Sequence, residues 1–230
     1  MSLHIQKLQV GYGDQMVLQD FSLDVPAEAT FGILGSNGAG KTTLFKTILG
    51  HKKPFSGHLQ WQGATLAHQQ VAYLETHPYF MPYTTAREYL QLCAHQNPNF
   101  PIEKWNAIFQ LPLQQFAISF STGMKKKLAI LGIIALDKPI LLLDEPFNGL
   151  DLESVERMYS VLARLQQIGK TILISSHILE TLTRSCEKIC FLQKGAIQAN
   201  YDQAAFPELA ATLRQQFEQD TESQLDELFD

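Results

Sequence analysis

A chain of 230 residues with 45% hydrophobic content can bury a full core in one main domain, with room for a small lobe set on it. Its formal net charge of -5 argues against a nucleic-acid partner, whose binding surface would carry a basic stripe. The three cysteines, Cys93, Cys186 and Cys190, cannot all pair and lack a second pair to complete a zinc site, so a reduced, intracellular protein is expected. The start, Met1 to Lys7, has no apolar stretch of the secretory kind. The most apolar region, Leu128 to Leu143, is broken by Asp137-Lys138-Pro139 before reaching the ~18 residues of a membrane span.

From Leu3 to Val25 apolar and polar residues tend to alternate (Leu3, Ile5; Phe21, Leu23, Val25) around a turn at Gly11-Tyr12-Gly13-Asp14, which predicts antiparallel strands. Thr30 to Leu34 reads as a short buried strand. It runs into Gly35-Ser36-Asn37-Gly38-Ala39-Gly40-Lys41-Thr42, a match to G-x-x-x-x-G-K-[ST], and then into a helix over Thr43 to Leu49. Glycines at these positions let backbone N–H groups turn inward on phosphate oxygens, while the helix offers its positive N-terminal end. Lys41 then reaches the β- and γ-phosphates, and Thr42 places a hydroxyl for Mg²⁺. The expected ligands are therefore ATP or GTP and Mg²⁺.

Gly57 to Gly63 and Val71 to Leu74 read as short strands. Thr84 to Leu136 reads as mainly helical, broken at Asn97-Pro98 and Leu111-Pro112, with Lys125-Lys126-Lys127 as a solvated helix face. Beyond Pro139 strands and helices alternate: Ile140 to Leu143, a helix with Val155, Tyr159, Leu162 and Leu165 on one face, and Thr171 to Ser175. This is α/β patterning. Lys188 to Gln193 and Ala196 to Ala199 flank Lys194-Gly195 as a hairpin. Gln216 to Asp230 holds six acidic residues and no basic ones, predicting a solvated, partly helical tail or a partner contact.

In Ile140 to Pro146 four apolar residues are followed by Asp144 and Glu145, the pattern of a buried strand that delivers acids to a phosphate site. Asp144 is expected to help hold Mg²⁺. Glu145, aimed elsewhere by side-chain alternation along the strand, is expected to orient the attacking water as general base.

With these motifs in order, the chain resembles the ATP-binding cassette (ABC) ATPases, over Leu3 to about Ala199. Their L-S-G-G-Q signature corresponds here to Phe120-Ser121-Thr122-Gly123-Met124, which keeps the serine and the second glycine. The resemblance implies an adenine-stacking ring at Tyr12 and phosphate contacts from Gly35, Ser36, Asn37, Gly38, Ala39, Gly40, Lys41, Thr42 and Thr43. It also implies signature contacts from Ser121, Thr122 and Gly123, a D-loop at Asn148 to Asp151, and a switch histidine at His177, so that Lys41, Glu145 and His177 form the catalytic set. One departure is plain: Thr76, preceded by Glu75, stands where the family carries a glutamine or glutamate that touches Mg²⁺, so both are candidates there beside Thr42 and Asp144.

The resemblance further implies the fold: an α/β P-loop NTPase core, a RecA-like mixed sheet flanked by helices, with an N-terminal antiparallel β subdomain and a small helical subdomain at about 77–136. A nucleotide-binding domain at 1–203 would be followed by the acidic tail at 204–230. The wording Ser121 to Leu128 and Tyr83 to Leu90 is closest to single-domain ATPases of ABC-2-type exporters. That implies a second ABC ATPase subunit, identical or different, an integral-membrane permease, and a place on the cytoplasmic face of the cell membrane. The segment His77 to Leu90 would form the docking surface. The alternatives are a soluble ABC ATPase of iron-sulfur assembly, DNA repair or translation, or an ATP-dependent dimerisation module without turnover.

Overall fold

The computed structural model describes residues 2–229, and in the last helix side chains only to 215 and at Glu218 and Glu222. Among the described residues ten strands run in chain order: β1 (Ser2–Tyr12), β2 (Gln15–Pro26), β3 (Thr30–Leu34), β4 (Ser56–Trp61), β5 (Ala64–Thr65), β6 (Val71–Leu74), β7 (Ile140–Asp144), β8 (Thr171–Ser176), β9 (Lys188–Gln193) and β10 (Ala196–Asp202). The helices are α1 (Lys41–Ile48), α2 (Ala86–Cys93), α3 (Ile102–Phe109), α4 (Thr122–Ala135), α5 (Leu152–Gln167), α6 (Leu179–Ser185) and α7 (Phe206–Phe229).

β1 and β2 form the expected antiparallel hairpin, pairing Leu3 with Val25, Ile5 with Leu23 and Tyr12 with Gln15. β4 and β5 extend it into a sheet of order β2-β1-β4-β5. The second sheet has the order β10-β9-β3-β8-β7-β6, parallel except for the antiparallel strand β10. Its central strands β3, β7 and β8 are buried along their full length, as parallel strands covered on both faces must be.

The period of two divides β7 between two cores. Ile140 and Leu142 pack with α1 (Leu44, Phe45, Ile48) and the inner face of the antiparallel sheet. Leu141 and Leu143 pack on the other side with α2, α4 and α5, through Leu90, Leu128, Met158 and Leu162 among others. Each strand residue thus loses apolar area to one of two clusters, at about 25 cal/mol per Å². β3, β7 and β8 end together, with Leu34 beside Ser176 and Asp144 beside Ser175. The carboxyl edge of a parallel sheet is where α/β folds bind ligands.

The C-terminal segment differs from the expected tail. α7 starts at Phe206, and Phe206, Leu209 and Leu213 are buried in the same core as α5, because their spacing of three and four places them on one helix face. The acidic side chains beyond 215, apart from Glu218 and Glu222, lie outside the described residues. No helix among the described residues is long and apolar enough to cross a membrane.

Candidate functional site

A cavity of about 520 Å³ opens at the carboxyl edge of the parallel sheet, walled by Val17, residues 36–43, Thr76, His77, Asp144, Glu145, Asn148 and His177. The loop from β3 to α1 forms its floor. The Gly35 N–H donates to the Ser176 carbonyl (3.2 Å) and the Gly195 N–H to the Ala39 carbonyl (3.1 Å), pinning the loop to β8 and to the β9–β10 turn. Gly40, at the N-cap of α1, has φ 109, a left-handed value that L side chains avoid, and a Cβ there would come within 2.8 Å of Leu18 Cδ2. The Lys41 ammonium donates to the carbonyls of Gly35 (2.6 Å) and Ser36 (3.2 Å) and sits 3.5 Å from Glu145 Oε1. A helix N-terminus and a buried lysine suit a phosphate chain.

Asp144 is almost fully buried and held by three hydroxyls. Its Oδ2 accepts from Thr42 Oγ1 (2.7 Å) and from the Tyr73 hydroxyl (3.2 Å), and its Oδ1 accepts from Ser175 Oγ. Burial first, then the charge of Asp144, push the Tyr73 phenol well above its usual range, so Tyr73 stays a donor. The Thr42 hydroxyl and the Asp144 carboxylate are hard oxygens placed side by side, and they fit Mg²⁺, which takes one or two protein oxygens and fills its octahedron with phosphate and water. Among the described residues no three His, Cys, Asp or Glu side chains cluster as a metal cage.

Glu145 lies just past the end of β7 and has φ 50. This corrects the expectation from strand alternation: the strand ends at Asp144, and the left-handed backbone of Glu145 turns its side chain into the same cavity. Its N–H donates to the carbonyl (3.2 Å) and the hydroxyl (3.3 Å) of Ser175, and its Oε1 meets His177 Nδ1 at 3.0 Å.

Of the other predicted residues, Thr76 reaches the cavity wall and the rest lie apart from it. Tyr12 is half exposed outside the cavity wall, with Lys52 Nζ 4.3 Å from its ring centre. Glu75 is exposed and Thr76 takes its place in the wall. Ser121 caps α4, its hydroxyl accepting from the Met124 N–H at 3.3 Å, and with Thr122 and Gly123 it stands away from the chain's own cavity. Gly123 packs so closely on the Asn148–Asp151 turn that a Cβ would lie 2.7 Å from the Gly149 carbonyl oxygen.

The lysine run is not uniformly solvated. Lys126 is 1% exposed and donates to the carbonyls of Thr76 (2.8 Å), Glu145 (3.2 Å) and Glu75 (3.4 Å), while Lys127 pairs with Asp151 at 3.1 Å. Burial lowers the Lys126 ammonium to about 8, against the pull of Asp144 and Glu145. Sequence reasoning also missed Tyr73, Ser175 and His77. Of these Ser175 left a signal, a hydroxyl at the end of an otherwise apolar strand beside the carboxylates.

The ABC transporter family model matches residues 18–148, more than half of the chain. Nod factor export ATP-binding protein I of Burkholderia lata is 32% identical over 209 residues, which cover 84% of this chain and 68% of that protein. A solved structure described as the ATP-binding subunit of an ABC transporter superposes with a TM-score of 0.81 at 31% identity, covering 88% of this chain and 90% of its own. The ATP-binding cassette MJ0796, solved as a dimer in a post-hydrolysis state bound to ADP and Pi, shares the fold with a TM-score of 0.80 at 18% identity, covering 87% of this chain and 98% of that one. On the family match, the shared motifs and relatives above 30% identity, the chain belongs to the ABC transporter family as an ATP-binding subunit.

Proposed function

We propose that this chain hydrolyses Mg-ATP as one of two subunits that energise export through a separate membrane permease. The observation that carries the reading is a split site. Lys41, Thr42, Asp144, Glu145 and His177 meet at one cavity, while Ser121 to Gly123, also a helix start suited to phosphate, stand elsewhere on the same chain. Such a site is completed by a second copy or a related ATPase. The dimeric, ADP- and Pi-bound state of a protein sharing the fold and the export named for a 32% identical relative support the direction of the proposal.

Phosphoryl transfer asks a protein mainly for positioning and charge stabilisation. Lys41 and the loop amides bind the β- and γ-phosphates. Thr42 and Asp144 would hold Mg²⁺, which when bound would supply positive charge against the phosphates. The Glu145 carboxylate takes the water proton as general base, and His177, bonded to Glu145 through Nδ1, keeps that carboxylate aimed. Ser121 to Gly123 of the second subunit close the site from above, and hydrolysis lets it reopen. Tyr79, Met81 and Tyr83, all exposed, supply an apolar surface for the permease.

Glu145→Gln is expected to keep ATP binding, lower turnover by about two orders of magnitude or more and accumulate an ATP-dependent dimer by size-exclusion chromatography. Wild-type turnover in that variant would sink the catalytic assignment. A multi-span protein that co-purifies from detergent-solubilised membranes would identify the permease, whereas a soluble scaffold alone would favour the iron-sulfur, repair or translation reading.

A further inference from the structure

The three carbonyls that accept from Lys126 belong to two segments. Glu75 and Thr76 follow β6, and Glu145 follows β7. An ammonium has three N–H donors, so these contacts saturate it, and a cation this deeply buried persists only when it is satisfied in this way. Glu145 needs such support because its φ of 50 is a strained choice for a non-glycine residue, held only where the surroundings over-determine it. Ser175 fixes the N–H of Glu145, and Lys126, together with the Asn148 N–H at 3.3 Å, fixes its carbonyl. Both ends of this strained residue are thereby clamped. The clamp on the carbonyl side grows from the start of α4, immediately after the first turn that carries Ser121 to Gly123.

We propose that Lys126 is a positioning residue: its ammonium fastens the backbone of Glu145 and the Glu75–Thr76 segment to the base of α4, so that the Glu145 carboxylate is aligned only while α4 is seated. Lys126 touches no substrate and acts through main-chain carbonyls alone. A chain that offers α4 to a partner's nucleotide thereby couples that contact to its own hydrolytic carboxylate. The inference rests on the hydrolysis reading above.

The test compares steady-state Mg-ATP hydrolysis by the wild type, Lys126→Met, which keeps length and apolar stem but offers no donor, and Lys126→Gln, which keeps a shorter amide with two donors. Thermal melts give the folded fraction of each. Loss of a charge-assisted contact at a strained residue predicts a kcat about 10- to 100-fold lower in Lys126→Met and an intermediate fall in Lys126→Gln. KM for Mg-ATP should stay within about 3-fold in both, because residues 35–43 are untouched. Hydrogen exchange in Mg-ATP should show unchanged protection of residues 35–43 and faster exchange over residues 74–77. Wild-type kcat in the folded variants, or a fall that only tracks the folded fraction, overturns the inference; if Lys126→Met does not fold, Lys126→Gln decides on the same criterion. A wild-type chain without turnover would instead bring down the hydrolysis reading and this inference together.

Discussion

Ser175→Ala removes a single hydroxyl from a fully buried position at the end of β8. That hydroxyl donates to Asp144 Oδ1 and accepts from the Glu145 N–H. The second contact has a substitute, since the same N–H also donates to the Ser175 carbonyl at 3.2 Å, so the backbone of Glu145 keeps its course. The first has none of equal kind: Thr42 and Tyr73 both serve Oδ2. Removing a hydrogen bond to a buried charge costs about 1.5–3 kcal/mol. In a chain of this length each kcal/mol moves the melting temperature by about 2–4 °C, so a loss of about 2 kcal/mol should lower Tm by ~4–8 °C. Circular dichroism melts of wild type and variant measure this directly. The gap should narrow when Mg²⁺ and ATP are added, because a cation against Asp144 compensates the missing donor. A melting temperature within about 1 °C of wild type would refute the assignment of Ser175 as the support of Asp144.

Asp151 accepts from the Ser154 N–H at 2.8 Å as the N-cap of α5 and pairs with Lys127 at its exposed side. Asp151→Ala should therefore lower Tm, nearly all through loss of the cap, and Asp151→Asn should recover most of the lost Tm; equal losses in the two variants would point to the ion pair instead. The buried thiols of Cys186 and Cys190 are each pushed up to about 12, first by desolvation, and burial also raises the half-buried Cys93. At pH 8 thiolate is then scarce at both buried sites, so a thiol reagent should label Cys93 first and all three only in denaturant. Rapid native labelling of Cys186 or Cys190 would contradict their burial.

Some of this site could be read from residues alone because its signals are local. Five residues from Thr30 lead without interruption into a glycine-rich loop and a helix, and four apolar residues lead straight into Asp144, so each element announces its own end. What could not be read depends on the crossover order of the strands, which no local pattern encodes. Tyr73 meets Asp144 because β6 lies next to β7, and Ser175 meets it because β8 lies on the other side; nothing in the spacing of residues 73, 144 and 175 says so. The aim of the Glu145 side chain escapes the local pattern for a related reason, since alternation holds only while the strand lasts and β7 stops one residue earlier. Lys126 shows the limit of periodicity most clearly. Lys125, Lys126 and Lys127 each precede apolar residues by three and four positions, namely Leu128 and Ala129, Ala129 and Ile130, and Ile130 and Leu131. The helical pattern therefore cannot tell which lysine turns inward. Only the three carbonyls that β6 and β7 deliver beneath α4 select Lys126, so its burial follows from the assembled sheet and from no shorter stretch of chain.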